Sequence, residues 1–204
     1  MEAQAPVYQF LVTLLDTEPP VWRRLQVPSA LTLGGLHTVL QVVMGWHNSH
    51  LHAFRIGTTL YMDPAFGNDP PAENECIVSL HAVVTGDAFS MIYEYDFGDS
   101  WQHELVLEAR LSAQAKVHYP RCTAGRGACP PEDCGGPPGY EQLLETLSDL
   151  EDPDHQELRS WAGNFFAPEL PNFKLINKQL QTLFAPMPAR RSPKPGFSRN
   201  RKTT

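Results

Sequence analysis

Residues 92–108 constrain the fold of this chain more than any other segment, because their pattern predicts a complete β-hairpin. Apolar and polar residues alternate on both sides of the pair Gly98-Asp99, as they do along strands that bury one face. A glycine in the first central position suits the tight turns that join antiparallel strands. The segment therefore predicts two antiparallel strands joined by a short loop.

The same hairpin carries an unusual density of ionisable side chains. If its loop has an even number of residues, Asp96 lies opposite Trp101 and Glu94 lies opposite His103. A loop of three residues would break this pairing. The even loop predicts two carboxylates, an imidazole and an indole on one face of the sheet.

Hydrophobic periodicity predicts the remaining elements. Strands are predicted at residues 7–16, 21–27, 51–61, 76–80 and 89–111. Helices are predicted between the capping Thr32 and the terminal Gly45, from Tyr140, after Asp152, and at residues 171–184. Residues 120–138 are irregular by composition. Strands in the first half and helices in the second predict an α+β fold with a mixed sheet and a helical C-terminal half.

The chain begins with the predicted order strand, strand, helix, strand, which resembles a β-grasp roll. A length of 204 residues is expected to form one domain, which we assign to residues 1–186. The remaining residues, 187–204, are rich in proline, serine and basic side chains, and this composition predicts a disordered basic tail.

Charge is distributed unevenly between the tail and the rest of the chain. Removing the six basic residues of the tail from the total of 16 leaves ten against 23 acidic residues, a formal charge of about −13. A body this acidic disfavours phosphate backbones. The tail could contact nucleic acid or its own acidic body, and the alternative is a solvated terminus without a partner.

Neither a signal peptide nor an apolar run of the ~20 residues that cross a bilayer is apparent. We therefore expect a cytoplasmic protein without a membrane partner. In that compartment the four cysteines are expected to be thiols or metal ligands rather than a disulfide framework.

Several phrases occur in order along the chain: PPVWRRLQVP with TLGGLHTVLQVVMGW, HLHAFRIG, YEYDFGDSWQHELVLE, YPRCTAGRGACPPEDCGGPPGYEQLL and FFAPELPNFKLINKQL. Together they resemble the plasmid pRiA4b ORF-3-like family. The resemblance implies a compact α+β domain of uncharacterised activity, often found near mobile elements and also labelled as transposon-passenger or TnpR-like. The N-terminal strand lacks the serine signature of a serine recombinase, so the label implies association with mobile elements only.

The hairpin offers the first candidate site, formed by Glu94, Asp96, Asp99 and His103. Carboxylates beside an imidazole can act in general acid/base catalysis or bind a divalent metal. The structural alternative is that Asp96 or Asp99 caps turn amides and that Glu94 pairs with His103 across the strands.

Histidines offer the second candidate, because His50 and His52 would point to the same side of a strand. Two imidazoles at that spacing can chelate a metal, and a hairpin carboxylate could complete the site. The alternative is a buried histidine pair that satisfies backbone groups and stacks on Trp46.

The third candidate comprises Cys122, Cys129 and Cys134, which with His118 would supply four zinc ligands on one loop. Their spacing differs from the paired CxxC motifs of structural zinc sites. Packing thiols, or a disulfide, are the alternatives.

A mixed site would arise if this loop folded over the hairpin and brought Glu132 or Asp133 near His103. The interpretation that we favour is a non-enzymatic binding module, an accessory protein of mobile elements. It would recognise a protein or nucleic-acid partner with Trp101, Glu132 and Asp133. The alternative is a hydrolase that depends on zinc or another divalent metal and could act on nucleic acid. Its ligands or acid/base groups would be His50, His52, Asp96, Asp99 and His103. The sequence leaves open whether the protein is an enzyme.

Overall fold

Alternation of apolar and polar residues produces the strands of this protein, and helical spacing produces its helices. The structure, a computed structural model, describes residues 6–67, 70–163 and 171–185. The strands are β1 Val7–Leu14, β2 Val21–Pro28, β3 His52–Ile56, β4 Thr59–Met62, β5 Glu73–Asn74, β6 Ser90–Tyr95, β7 Trp101–Leu111 and β8 Arg121–Arg126. The helices are α1 Leu33–Met44, α2 Leu80–Val83, α3 Gly136–Ser148, α4 His155–Ala162 and α5 Phe173–Leu183.

Helix α1 packs its apolar side chains into the main hydrophobic core. Leu36 and Leu40 are fully buried and belong to the same cluster as Phe10 of β1. The side chain of Thr32 accepts a hydrogen bond from the amide of Gly35 and so caps the start of the helix. Gly45 ends it in the left-handed conformation, as the sequence predicted.

One sheet of eight strands runs through the described part of the chain, in the order β5-β4-β3-β6-β7-β1-β2-β8. Its pairs are antiparallel except for β4 and β5, which are parallel. The mixed sheet and the helices confirm the α+β class. The β-grasp-like start is not confirmed, because β3 pairs with β4 and β6 rather than with β1 or β2.

The loop of the predicted hairpin has an odd number of residues, 96–100, so the pairing expected for an even loop is wrong. Tyr93 lies opposite His103, and Tyr95 lies opposite Trp101. Glu94 and His103 therefore face opposite sides of the sheet. The physical reason lies at Asp96, whose φ of 58° turns the backbone out of the strand.

Other elements also differ from the prediction. Residues 51–61 form two strands, because Gly57 adopts a left-handed turn with a φ of 58°. Residues 76–80 form no strand, and β8 lies within the segment that composition marked as irregular. Only part of the C-terminal half is helical, since β7 and β8 lie there. The basic tail, residues 187–204, lies outside the described residues.

Among the residues that the structure describes, no helix has both the length and the apolar character that crossing a membrane requires.

Candidate functional site

Three loops meet beside the ends of the neighbouring strands β3, β6 and β7, and we call this region the loop junction. It comprises residues 45–51 after α1, residues 96–100 of the hairpin, and residues 127–135 before α3. Each loop brings ionisable side chains to the same place. The loop junction is therefore the region where most of the residues singled out from the sequence converge.

Trp46 fastens two of these loops together. Its indole nitrogen donates a hydrogen bond of 3.0 Å to the carbonyl oxygen of Pro130. Its ring stacks on that of Tyr95, with centroids 4.7 Å apart, and only 6% of the residue is exposed. A buried indole whose N–H has a partner holds its neighbours in defined positions. The loop of residues 127–135 is thereby placed over the end of the hairpin.

Glu132 reinforces the same attachment. Its Oε1 accepts hydrogen bonds from the hydroxyl of Tyr95 at 2.6 Å and from the amide of His47 at 2.9 Å. Burial alone would raise the pKa of Glu132, but these hydrogen bonds hold it below its usual value. Burial, together with the hydrogen bond to Glu132, raises the pKa of Tyr95. The pair is thus a phenol donating to a carboxylate.

An imidazole lies between two carboxylates at the centre of the loop junction. The Nδ1 of His50 is 3.5 Å from Oδ2 of Asp96, and its Nε2 is 3.2 Å from Oδ1 of Asp133. The contact with Asp133 is not a hydrogen bond, and the buried Nε2 has no hydrogen-bond partner among the described residues. Side-chain exposure increases from 12% at Asp96 through 27% at His50 to 74% at Asp133. The cluster therefore opens to solvent on the Asp133 side.

These three residues form a possible metal centre. One ligand atom from each of His50, Asp96 and Asp133 lies within 4.8 Å of the other two. Within the described ranges, no other group of three or more histidine, cysteine, aspartate or glutamate residues is this close. Two occupants could satisfy the two carboxylates here: a proton on the imidazole, or a divalent cation.

Backbone geometry fixes the two aspartates that flank the turn. The Oδ1 of Asp96 accepts a hydrogen bond of 3.0 Å from the amide of Gly98, so the capping alternative predicted from sequence is confirmed. Asp99 instead reaches the third loop, because its Oδ2 accepts from the amide of Gly135 at 3.2 Å. A Cβ added to Gly136 would lie 2.7 Å from the carbonyl oxygen of Asp99, so this close approach requires a glycine.

His50 and His52 do not share a site, although they are two residues apart. His52 is the first residue of β3 and only 3% exposed, and its ring stacks on that of His37 at 3.5 Å. His50 precedes the strand, where the alternation of sides does not apply. The predicted chelating pair is therefore wrong.

His103 and Trp101 are also removed from the loop junction surface. Trp101 is 1% exposed, so it cannot present its ring to a partner as predicted. His103 has no measurable exposure, and burial lowers its pKa to about 4. Its ring makes a hydrogen bond with the carbonyl oxygen of Trp101. Glu94, on the opposite face, accepts a hydrogen bond from Ser100. The predicted approach of Glu132 or Asp133 to His103 is replaced by their approach to Tyr95 and His50.

The cysteines do not assemble a metal site in the described residues, because Cys122, Cys129 and Cys134 are not close enough to form a group of three ligands. All four cysteines are free thiols. Burial raises the pKa of Cys122 to about 11 and that of Cys134 to about 12, so both stay protonated near neutral pH. The buried guanidinium of Arg23 lies near Cys122 and Cys129, and its charge opposes a second cation.

Sequence reasoning missed Tyr95 and His37. Tyr93 and Tyr95 are two residues apart in β6 and share its buried face, so the period-two pattern could have identified both as inward-facing. His37 lies within the apolar face of α1, where a histidine needs polar partners. It finds them in the hydroxyl of Tyr93 and the side chain of Asn48, each at 2.8 Å.

Comparisons with known proteins give relatives without an assigned activity. A model of the plasmid pRiA4b ORF-3-like protein family matches residues 6–174. The uncharacterised protein y4hQ of Sinorhizobium fredii is 38% identical over 188 residues, which cover 89% of this chain and 94% of that protein. The crystal structure of a protein of unknown function, MM3350 from Methanosarcina mazei Go1, is similar with a TM-score of 0.76 and 36% identity, covering 83% of this chain and 96% of the other.

Proposed function

The chain belongs to the plasmid pRiA4b ORF-3-like family, and from this premise we propose that it is a binding module whose recognition centre is a divalent cation at the loop junction. His50, Asp96 and Asp133 would hold the cation. The relatives named above are described as uncharacterised or of unknown function, so the proposal depends on geometry. The plasmid origin in the family name supports an accessory role in mobile elements.

The observation that carries this proposal is the close approach of three ligand atoms. Metal–ligand distances of about 2.0–2.4 Å place two ligands of one ion about 2.8–4.8 Å apart, from adjacent to opposite positions. The ligand atoms of His50, Asp96 and Asp133 lie within 4.8 Å of one another, so small side-chain adjustments suffice. One imidazole and two carboxylates suit zinc, manganese or iron(II) better than a soft metal such as Cu(I).

The electrostatics of the cluster favour a cation. Two carboxylates converge on one imidazole, whose Nε2 has no hydrogen-bond partner among the described residues. Three protein ligands leave coordination positions open, as they do in metal sites that bind further groups. The exposed side, at Asp133, would admit the carboxylate or phosphate group of a partner. The partner would therefore present an anionic group to the loop junction.

Open coordination positions also suit the second candidate, a metal-dependent hydrolase. A hydrolase would need a nearby group free to exchange protons. Glu132 already accepts hydrogen bonds from Tyr95 and His47, and His103 is fully buried. Because neither Glu132 nor His103 is free to exchange protons with a substrate, a binding role is favoured over hydrolysis.

Metal content of the purified full chain tests the proposal. Protein prepared without chelator is analysed by mass spectrometry, and binding of Mn²⁺ and Zn²⁺ to the chelator-treated protein is followed by calorimetry. We expect one ion per chain and at least about a tenfold loss of affinity in His50→Gln and Asp133→Asn, because each removes one ligand.

Two control variants test whether the metal is bound at this site or by residues elsewhere in the chain. Asp87→Asn removes a fully exposed carboxylate elsewhere and should leave metal affinity unchanged. Cys122→Ser should also leave it unchanged. A protein that binds no divalent ion, or whose affinity falls in Cys122→Ser but not in His50→Gln, would contradict the proposal. Turnover of a phosphate ester by the loaded protein would favour the hydrolase.

A further inference from the structure

Another polar cavity lies on the far side of the loop 45–51 from the metal centre proposed above, between the start of α1, strand β3, residues 63–66 and residues 75–76. Its volume is about 290 Å³. We call it the Glu75 pocket, after the carboxylate in its wall. Its walls include His37, His52, Asp63, Phe66 and Glu75. None of these five belongs to the proposed metal centre.

Glu75 and His52 are buried together and only partly satisfied. The Nε2 of His52 is 2.9 Å from Oε1 of Glu75, and each side chain is 3% exposed. Oε2 of Glu75 and Nδ1 of His52 are buried and have no hydrogen-bond partner among the described residues. Buried polar atoms without partners are costly, so native proteins rarely keep two in one wall.

The chemistry of these two atoms specifies what would satisfy them. In a neutral imidazole whose Nε2–H donates to Glu75, Nδ1 carries a lone pair and accepts. Oε2 of Glu75 is a carboxylate oxygen and is also an acceptor. A ligand for this wall must therefore bring a hydrogen-bond donor to Oε2 of Glu75.

The charge of the pocket agrees with such a ligand. Glu75 and Asp63 supply two carboxylates, and no lysine or arginine is among the described lining residues. His37 adds no positive charge, because burial lowers its pKa to about 4. Its two ring nitrogens are engaged by Tyr93 and Asn48. The pocket is therefore negative and complementary to a cation.

An aromatic ring at the mouth favours an organic cation over a metal ion. Phe66 is 48% exposed, and its ring centroid lies 6.3 Å from that of His52. Faces of aromatic rings attract alkylammonium groups. A metal ion would need a third ligand, but in the described residues no third cysteine, histidine or carboxylate lies close enough to His52 and Glu75.

We propose that the Glu75 pocket binds the ammonium group of a small primary amine, which donates one hydrogen bond to Oε2 of Glu75 and another to the carboxylate of Asp63. The alkyl chain lies against Phe66. The N–H donors of an ammonium group match the carboxylate acceptors of this wall.

Titration of the full chain with n-butylammonium, followed by two-dimensional NMR, tests this assignment. We expect saturable shifts at the amides of Gly34 and His52, and none with 1-butanol, which has the same alkyl chain but no charge. Glu75→Gln should weaken binding by at least about tenfold, which corresponds to the loss of one charge-assisted hydrogen bond.

Two further variants control for structural damage. Glu73→Gln neutralises an exposed glutamate two residues earlier and should leave binding unchanged. Phe66→Ala changes an exposed ring, so the fold should persist, and affinity should fall about threefold. Equal binding of 1-butanol, an absence of saturable shifts, or unchanged affinity in both Glu75→Gln and Phe66→Ala would overturn the proposal.

Discussion

His50 and His52 show how strongly position decides the role of a side chain. The two imidazoles are separated by one residue, yet one lies at the solvent-facing loop junction and the other in a buried stack. The reason is that β3 begins at His52, so strand geometry sets the direction of the His52 side chain but not that of His50. The surface ring contacts carboxylates from two distant loops, whereas the buried ring contacts its neighbours in the core.

Because two histidines are buried in the core, we expect the protein to lose stability in mild acid. Burial lowers the pKa of His37 and His103 to about 4, from an ordinary value near 6.5. Between these values the unfolded chain binds more protons than the folded chain. The neutral buried imidazoles therefore contribute fully to the free energy of unfolding above a pH of about 6.5. This contribution is lost as the pH falls towards 4, by roughly 3 kcal/mol for each histidine.

Urea unfolding at pH values of about 7 and about 4.5 measures this loss. His103→Gln should reduce the difference between the two free energies of unfolding, because one buried imidazole no longer titrates. His118→Gln, at an exposed position, is the matched control and should show the wild-type difference. A wild-type protein that is equally stable at both pH values would contradict this explanation.

At the scale of elements, two glycines with left-handed backbones allow a matched comparison. Gly136 has a φ of +70°, and a Cβ there would lie 2.7 Å from the carbonyl oxygen of Asp99. Gly45 has a φ of +87°, with nothing within 4 Å of the added Cβ. Only the first position combines backbone strain with a collision.

Gly136→Ala should therefore destabilise the protein by about 2–3 kcal/mol, and Gly45→Ala by about 1 kcal/mol. Thermal or urea unfolding measures both values. Gly136→Ala should also weaken metal binding, since the collision pushes the third loop away from the hairpin. Equal stability losses in the two variants would show that the contact with Asp99 imposes no constraint.

The sequence predicted individual helices and strands better than the contacts between loops at the loop junction. Thr32 and Gly45 marked α1 because capping depends on neighbouring residues only. The hairpin loop was harder to predict, since one residue more or less reverses every side chain, and the left-handed Asp96 carries no strong local signal. The contact between Trp46 and Pro130 joins residues remote in sequence, so no local pattern could predict that Asp133 reaches His50.

At the scale of the whole molecule, the acidic body and the basic C-terminal segment lead to opposite expectations for nucleic acid. Six basic side chains in residues 187–204 contrast with the charge of about −13 on the rest of the chain. We expect the full chain to be retained on immobilised double-stranded DNA at low salt. With six phosphate contacts, the logarithm of affinity should fall against the logarithm of salt concentration with a slope of about −5.

Deletion of residues 187–204 should abolish this retention, because the acidic body repels phosphates. Replacing the six basic residues of the segment by glutamine is the matched control, and it should have the same effect as the deletion. Retention that persists after the deletion would exclude the segment as the DNA-binding element.

The loop junction gathers side chains from three segments that lie far apart along the chain: the loop after α1, the hairpin turn and the loop before α3. An ion held by all three would act as a removable cross-link, closing two long loops of polypeptide as a pair of disulfides would. Because the unfolded chain cannot present the three ligands together, the ion would stabilise only the native state. Availability of the ion would then set the lifetime of the protein as well as its ability to bind a partner.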